Sequence, residues 1–162
     1  MPMKPRKAKP RSRANVPLDI QPSQIKPRRR IPHEFVLEAL SALTPRTRPL
    51  FSCLAVYVQD KIVLALRDKQ DAATSSDNGV WVATTQEHHE SLRLELPSMR
   101  SIRVLGKEVT GWQVLPADST DFEEVALRAC DLILANDPRI GKSPKSKRVR
   151  HPGGRAAGKR TR

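Results

Sequence analysis

Aromatic residues are scarce in this chain: three Phe, two Trp and one Tyr among 162 residues, all of them within residues 31–136. The two ends therefore have no ring on which a base of a single strand could stack. Cysteine is nearly absent as well. Cys53 and Cys130 are too far apart and too few for a structural zinc site. Each has apolar neighbours, where a thiol acts as a small hydrophobe. Cys130 could face Cys53 across a core, but reduced thiols are the expectation. No apolar run approaches the roughly 20 residues of a spanning helix, and none follows the basic N-terminus as a secretory signal requires. A soluble, cytoplasmic protein is expected, with association with the nucleoid as an extension of that.

Catalytic signatures are missing too. There is no glycine loop to cradle a phosphate, no Ser/His/Asp arrangement and no paired-carboxylate pattern. Asp68, Asp71 and Asp77 share one loop but lack the spacing and closing Glu of a calcium loop. His88-His89-Glu90 is read as part of a surface helix, because adjacent helical residues point about 100° apart and do not chelate together. His33 and His151 are isolated. The expectation is a protein that is not an enzyme, with no catalytic residue, no cofactor and no metal.

What the chain has in abundance is positive charge, a formal +13, and its distribution is uneven. Residues 1–30 carry ten Lys/Arg against Asp19, and residues 137–162 carry ten against Asp137, so each end is +9. Residues 31–136 hold ten Lys/Arg and fifteen Asp/Glu, a net −5. Basic arms on an ordinary globular body give this pattern. The arms hold too little apolar surface to offset the entropy of ordering them, so they are expected to be disordered. In the first, Lys4, Arg6, Lys7, Lys9 and Arg11 are interleaved with proline, and Arg28, Arg29 and Arg30 close it. In the second, Lys142, Lys145, Lys147, Arg148 and Arg150 precede a glycine-containing stretch that ends in Lys159, Arg160 and Arg162.

These cations are the candidate nucleic-acid contacts. They would neutralise phosphates and release counterions, which gives affinity without sequence readout. Ser143-Pro144-Lys145 resembles the tails of chromatin proteins, which favours DNA over RNA as partner. The plainer alternative is a solubilising tail, or one that meets ribosomal RNA or acidic proteins. Two such arms are more basic than solubility requires.

Within the body, Val36, Ala39, Leu40 and Leu43 recur at helical spacing until Thr44-Pro45. Two apolar runs, 51–58 and 61–67, flank Gln59-Asp60 and predict a hairpin. Asn78-Gly79 turns into a strand over 80–83. Thr84 with Glu87, and Thr120 with Glu123, match the capping box that opens a helix. The first is expected to run to about Leu96, and the second carries Phe122, Val125, Ala126, Ala129 and Ile133 on one face. Between them, 101–105 and 112–115 predict a second hairpin around Gly106-Lys107. The order is α-β-β-β-α-β-β-α, an α+β two-layer domain with a mainly antiparallel sheet and helices on one face.

Arg48-Pro49-Leu50-Phe51 through Ala55-Val56-Tyr57-Val58-Gln59-Asp60-Lys61-Ile62 resembles the opening of the N-terminal domain of TfoX/Sxy competence regulators. The later Gly111-Trp112-Gln113-Val114, followed by an acidic amphipathic helix from Phe122, resembles the MmcQ/YjbR family. The resemblance spans the body and neither arm. It implies a compact α+β fold in which hairpins act as DNA-contacting wings. Arg100, Arg103 and Lys107 would be the wing contacts, with Arg46 and Arg48 a weaker pair; an exposed strand and turn is the plainer reading of all five. Trp81 and Trp112 could line a ligand pocket, and are assigned to structure. Taken together, the sequence predicts a non-catalytic, sequence-nonspecific nucleic-acid-associated accessory protein. The alternative is a protein-interaction or small-ligand module with incidental tails.

Overall fold

The computed structural model describes residues 28–106 and 108–144, and by contact the chain divides between Arg30 and Ile31. Six antiparallel strands make one sheet in the order β1-β2-β3-β4-β6-β5. The strands are β1 (Arg46–Leu50), β2 (Cys53–Val58), β3 (Lys61–Arg67), β4 (Gly79–Ala83), β5 (Arg100–Ser101) and β6 (Trp112–Pro116). Three helices, α1 (Phe35–Ala39), α2 (His89–Glu95) and α3 (Phe122–Leu134), cover one side of it. The α+β class and the one-sided helix layer are as the sequence predicts.

Alternation along the strands divides the apolar side chains between two clusters. Val56, Leu64, Leu66, Val80, Val82 and Leu115 face the helices, where they meet Val36 and Leu40, Leu92 and Leu96, and the apolar stripe of α3. Cys53, Ala65, Trp81, Ile102 and Val114 form a smaller cluster on the far side, with Trp112 against it. Cys53 and Cys130 thus lie in different clusters, both buried and both free.

The structure departs from the sequence reading at several points. One strand was not foreseen: β1 is polar and contains Pro49, features a sheet tolerates at its edge, where a missing N–H breaks no ladder. The first helix is a short α1 followed by a 3-10 turn over Ser41–Leu43, ended by Thr44 in the left-handed region at φ 47°. The second hairpin is not a tight one. β5 has two residues, paired with Val114 and Gln113, and the next strand starts only at Trp112. Neither capping box forms. Thr84 is buried and its hydroxyl donates to the Arg139 carbonyl at 2.6 Å, while α2 and α3 start without a side-chain cap.

The folded chain also runs past 136. Ile140 is 6% exposed within the core, Gly141 N–H donates to Ala83 O at 2.7 Å, and Lys142 exchanges two backbone bonds with Ile62. Arg139 fastens this extension by pairing with Asp137 and Glu95. Gly79 is required where β4 starts beside β6: its φ is +140°, and a Cβ there would overlap the Leu115 carbonyl.

Candidate nucleic-acid interface

The six strands contain five Lys/Arg and not one Asp or Glu. The three α-helices contain six Asp/Glu and two Arg. Among the strands and α-helices the charge is therefore divided between the two layers, while the other nine carboxylates of residues 31–136 lie in the connections and 3-10 turns. Register places Arg46 opposite Tyr57, Arg48 opposite Ala55 and Arg100 opposite Val114, and Arg67 opposite Gly79, two positions along β3 and β4 from the Ala65–Trp81 pair. Directly opposed residues share a face, so these four arginines belong to the side away from the helices. The fifth cation, Lys61, lies opposite Val58, on the helix side.

Every cation–aromatic pair among the described residues is on this far side. Arg48 stands 5.9 Å from the Tyr57 ring centre, Arg67 5.7 Å from Trp81, and Lys142 5.3 Å from Trp112. Such a pair contributes about 0.5–1 kcal/mol where exposed and about 2 kcal/mol where desolvated. Trp81 and Trp112 are neighbours, with centres 6.1 Å apart. Trp81 is buried and its indole N–H donates to Asp77 O at 2.8 Å, so its role is structural.

The cations differ in their partners. Arg46 is 3.5 Å from Asp60, an exposed pair of small energetic value. Arg100 is committed inward: it donates to Asp77 at 3.0 Å and to the carbonyls of Ser76 and Ser101. Asp77 also accepts the backbone N–H groups of Arg103 and Val104, each at 2.7 Å, which pins the connection after β5. Burial alone would raise this carboxyl, but those donors override it and hold it below the usual aspartate value. Arg48, Arg67 and Lys142 have no carboxylate partner among the described residues. Arg67 is only 2% exposed, donates to Ser52 Oγ, and leaves its Nε without a partner. Beside it, burial pushes the Cys53 thiol up, against the pull of Arg67.

Lys142 is half-buried against Trp112, and that burial lowers its pKa. It was predicted as a residue of the disordered tail; its backbone is instead joined to β3 at Ile62. Close by, His89 is 6% exposed with Nε2 unpartnered. Its pKa is lowered by burial first, then by Arg93 and Lys142. The surface-helix reading of His88-His89-Glu90 therefore fails for His89. Its spacing to Leu92 and Leu96 marks the buried stripe of α2 and could have revealed this.

Of the arm cations named as candidate contacts only Arg28, Arg29, Arg30 and Lys142 are among the described residues, and the three arginines are exposed. Lys4, Arg6, Lys7, Lys9, Arg11, Lys145, Lys147, Arg148, Arg150, Lys159, Arg160, Arg162 and the wing candidate Lys107 lie outside them. Arg103 is exposed, but with β5 only two residues long no two-stranded wing presents it with Arg100. Sequence reasoning gave Arg46 and Arg48 little weight and did not single out Arg67. Their placement on one face follows from β1, a strand it had not assigned.

No group of three or more His, Cys, Asp or Glu among the described residues could hold a metal ion. None of their helices is long and apolar enough to cross a membrane. No family model, curated protein or solved structure matches the chain.

Proposed function

We propose that this protein is a non-catalytic accessory protein that holds nucleic acid, DNA in the first instance, by its phosphates and without sequence readout. The observation that carries this reading is the separation of charge. Each end of the chain is +9 by sequence, and the far side of the sheet carries the start of the basic tail and four arginines, of which Arg46 and Arg48 are exposed, with Asp60 and Asp77 beside them. Phosphate neutralisation by such a surface is driven by counterion release. Cations left without a carboxylate, Arg48 and Lys142 among them, add to the positive potential that steers a polyanion there. The acidic helix layer would repel the same ligand and so orient it. A cytoplasmic, nucleoid-associated setting and kinship with the MmcQ/YjbR and TfoX/Sxy domains belong to the same proposal. Trp112 on a late strand before the acidic α3 is what supports that kinship.

The test is anisotropy of a labelled duplex with the full chain and with residues 31–144, titrated in salt. Cutting at 136 would be the wrong comparison, since it removes Ile140 from the core. If six to ten phosphates are engaged, full-chain affinity should fall about 10³–10⁵-fold between roughly 50 and 200 mM salt. Equal affinity of the two chains, or a full-chain affinity independent of salt, contradicts the reading.

A second reading, a protein-interaction module, is favoured by one feature. A hollow of about 580 Å³ on the helix side is lined by Glu95, Asp121, Glu124 and Asp131 against the single cation Arg128, with Pro97, Val125 and Leu127. Its chemistry suits a basic, partly apolar peptide. Co-purification of a defined basic protein with residues 31–144 would support it.

A further inference from the structure

Where β1 and β2 meet the start of the tail, the far face contains a hollow of about 350 Å³, lined by Arg46, Arg48, Tyr57, Gln59, Asp60 and Pro144. Small-ligand sites begin at about 300 Å³. We propose that this hollow takes one nucleotide of a single-stranded nucleic acid, with its base on Tyr57 and its phosphate on Arg48. The inference rests on the nucleic-acid reading above and names the form of the ligand at the sheet.

The two contacts a nucleotide needs are side by side. Tyr57 is half-exposed, the one aromatic ring lining this hollow. Arg48 is exposed, has no carboxylate partner among the described residues, and stands 5.9 Å from the ring centre. A guanidinium beside an aromatic face is a combination that holds unpaired bases, stacking one plane while its charge meets the backbone. Arg46 is kept at the rim, donating to the Gln59 carbonyl at 2.9 Å with Asp60 at 3.5 Å. That pairing offsets the hollow's one acid, whose remaining oxygen can accept from a base amino group.

Three features favour a strand over a duplex or a free nucleotide. A base in a duplex is stacked on both sides and has no face to give to Tyr57. Tyr57 belongs to β2, a strand inside the sheet, and not to a helix or loop that could enter a groove. And Pro144 lines the hollow while Lys145, Lys147 and Arg148 follow it in sequence, so the phosphates next to the bound one have cations within a short length of chain.

The experiment measures binding of the full chain to a short labelled oligothymidylate and to a duplex of equal length. Its variants are Tyr57→Leu and Tyr57→Phe. Loss of one stacked base should weaken oligothymidylate binding about 5- to 100-fold in Tyr57→Leu, with duplex binding within about twofold and Tyr57→Phe close to the parent. Ultraviolet crosslinking of the oligothymidylate to the unaltered chain should map to Tyr57, which keeps the test valid if Tyr57→Leu misfolds. Unchanged oligothymidylate binding, equal losses for both ligands in a folded variant, or competition by thymidine monophosphate as tight as the oligomer's would overturn the proposal. Failure of the full chain to bind either ligand at low salt would instead sink the nucleic-acid reading beneath it.

Discussion

Consider Asp77→Asn, which changes one oxygen to an amide at a site 1% exposed to solvent. The carboxylate receives Arg100 at 3.0 Å and the N–H groups of Arg103 and Val104 at 2.7 Å. Hydrogen bonds to a charged group contribute about 1.5–3 kcal/mol each, and Asn, with a single acceptor oxygen, turns its NH₂ toward at least one of these donors. Arg100 also loses its counter-charge. A cost of about 2–4 kcal/mol follows, at the lower edge of what breaking a buried ion pair costs. For a domain of this size that lowers Tm by roughly 8–16 °C. Urea and thermal unfolding of the full chain would measure it. Asp71→Asn is the control in the same loop: its exposed oxygen accepts Ala73 N–H, a bond Asn can keep, so the change should stay within about 0.5 kcal/mol. Because the folded pKa of Asp77 is depressed, its contribution is present above the unfolded value near 3.9 and disappears as pH falls through the folded one. The variant should therefore lose less stability than the parent below about pH 4. An Asp77→Asn chain within about 0.5 kcal/mol of the parent at neutral pH would refute the account of this network.

Three further outcomes are expected. His89 is kept neutral in the fold by burial, with Arg93, Lys142 and His88 adding to the effect and the Gly111 backbone opposing it. The unfolded chain takes up a proton near pH 6.5, so stability should fall as pH drops below about 6.5, and His89→Leu should flatten that slope in urea midpoints. A slope that persists in the variant contradicts the assignment. Gly79→Ala forces a Cβ onto the Leu115 carbonyl at φ +140° and should cost about 3 kcal/mol or prevent folding; an unshifted thermal melt would disprove the packing described. Ending the chain at 136 instead of 144 removes buried Ile140 and the Gly141 and Lys142 backbone bonds. It should cost about 3–5 kcal/mol by chemical denaturation, and equal stability of the two chains would place 137–144 outside the fold.

The elements legible in the sequence were those with an uninterrupted apolar period. The β2–β3 hairpin around Gln59-Asp60, the strand after Asn78 and the stripe of α3 stand where patterning puts them. What escaped notice depended on partners far along the chain. Arg46-Thr47-Arg48-Pro49-Leu50 has no strand-like pattern of its own and is a strand because β2 offers it an open edge. Thr84 looks like a cap until Arg139, 55 residues later, supplies a carbonyl to bond. Ile140 to Lys142 looks like tail because the groups that hold it are on β3 and β4. The candidate site was obscured for the same reason. Summed over residues 31–136 the body is acidic, and only strand register shows that the arginines of the strands share the side away from the helices, which hold six of the acids.

The central claim, that nucleic acid meets the arginine side of the sheet as well as the arms, is tested most directly by the salt dependence of duplex affinity. The full chain is compared with Arg46→Gln/Arg48→Gln and with Glu123→Gln/Glu124→Gln, an exposed pair on α3. If both arginines meet phosphates, the first double variant should reduce the slope of log K against log salt by about 1.8, at about 0.9 per phosphate contact. The second, on the opposite side of the body, should leave the slope where it is. A slope unaltered by loss of Arg46 and Arg48 would confine binding to the arms and contradict the account.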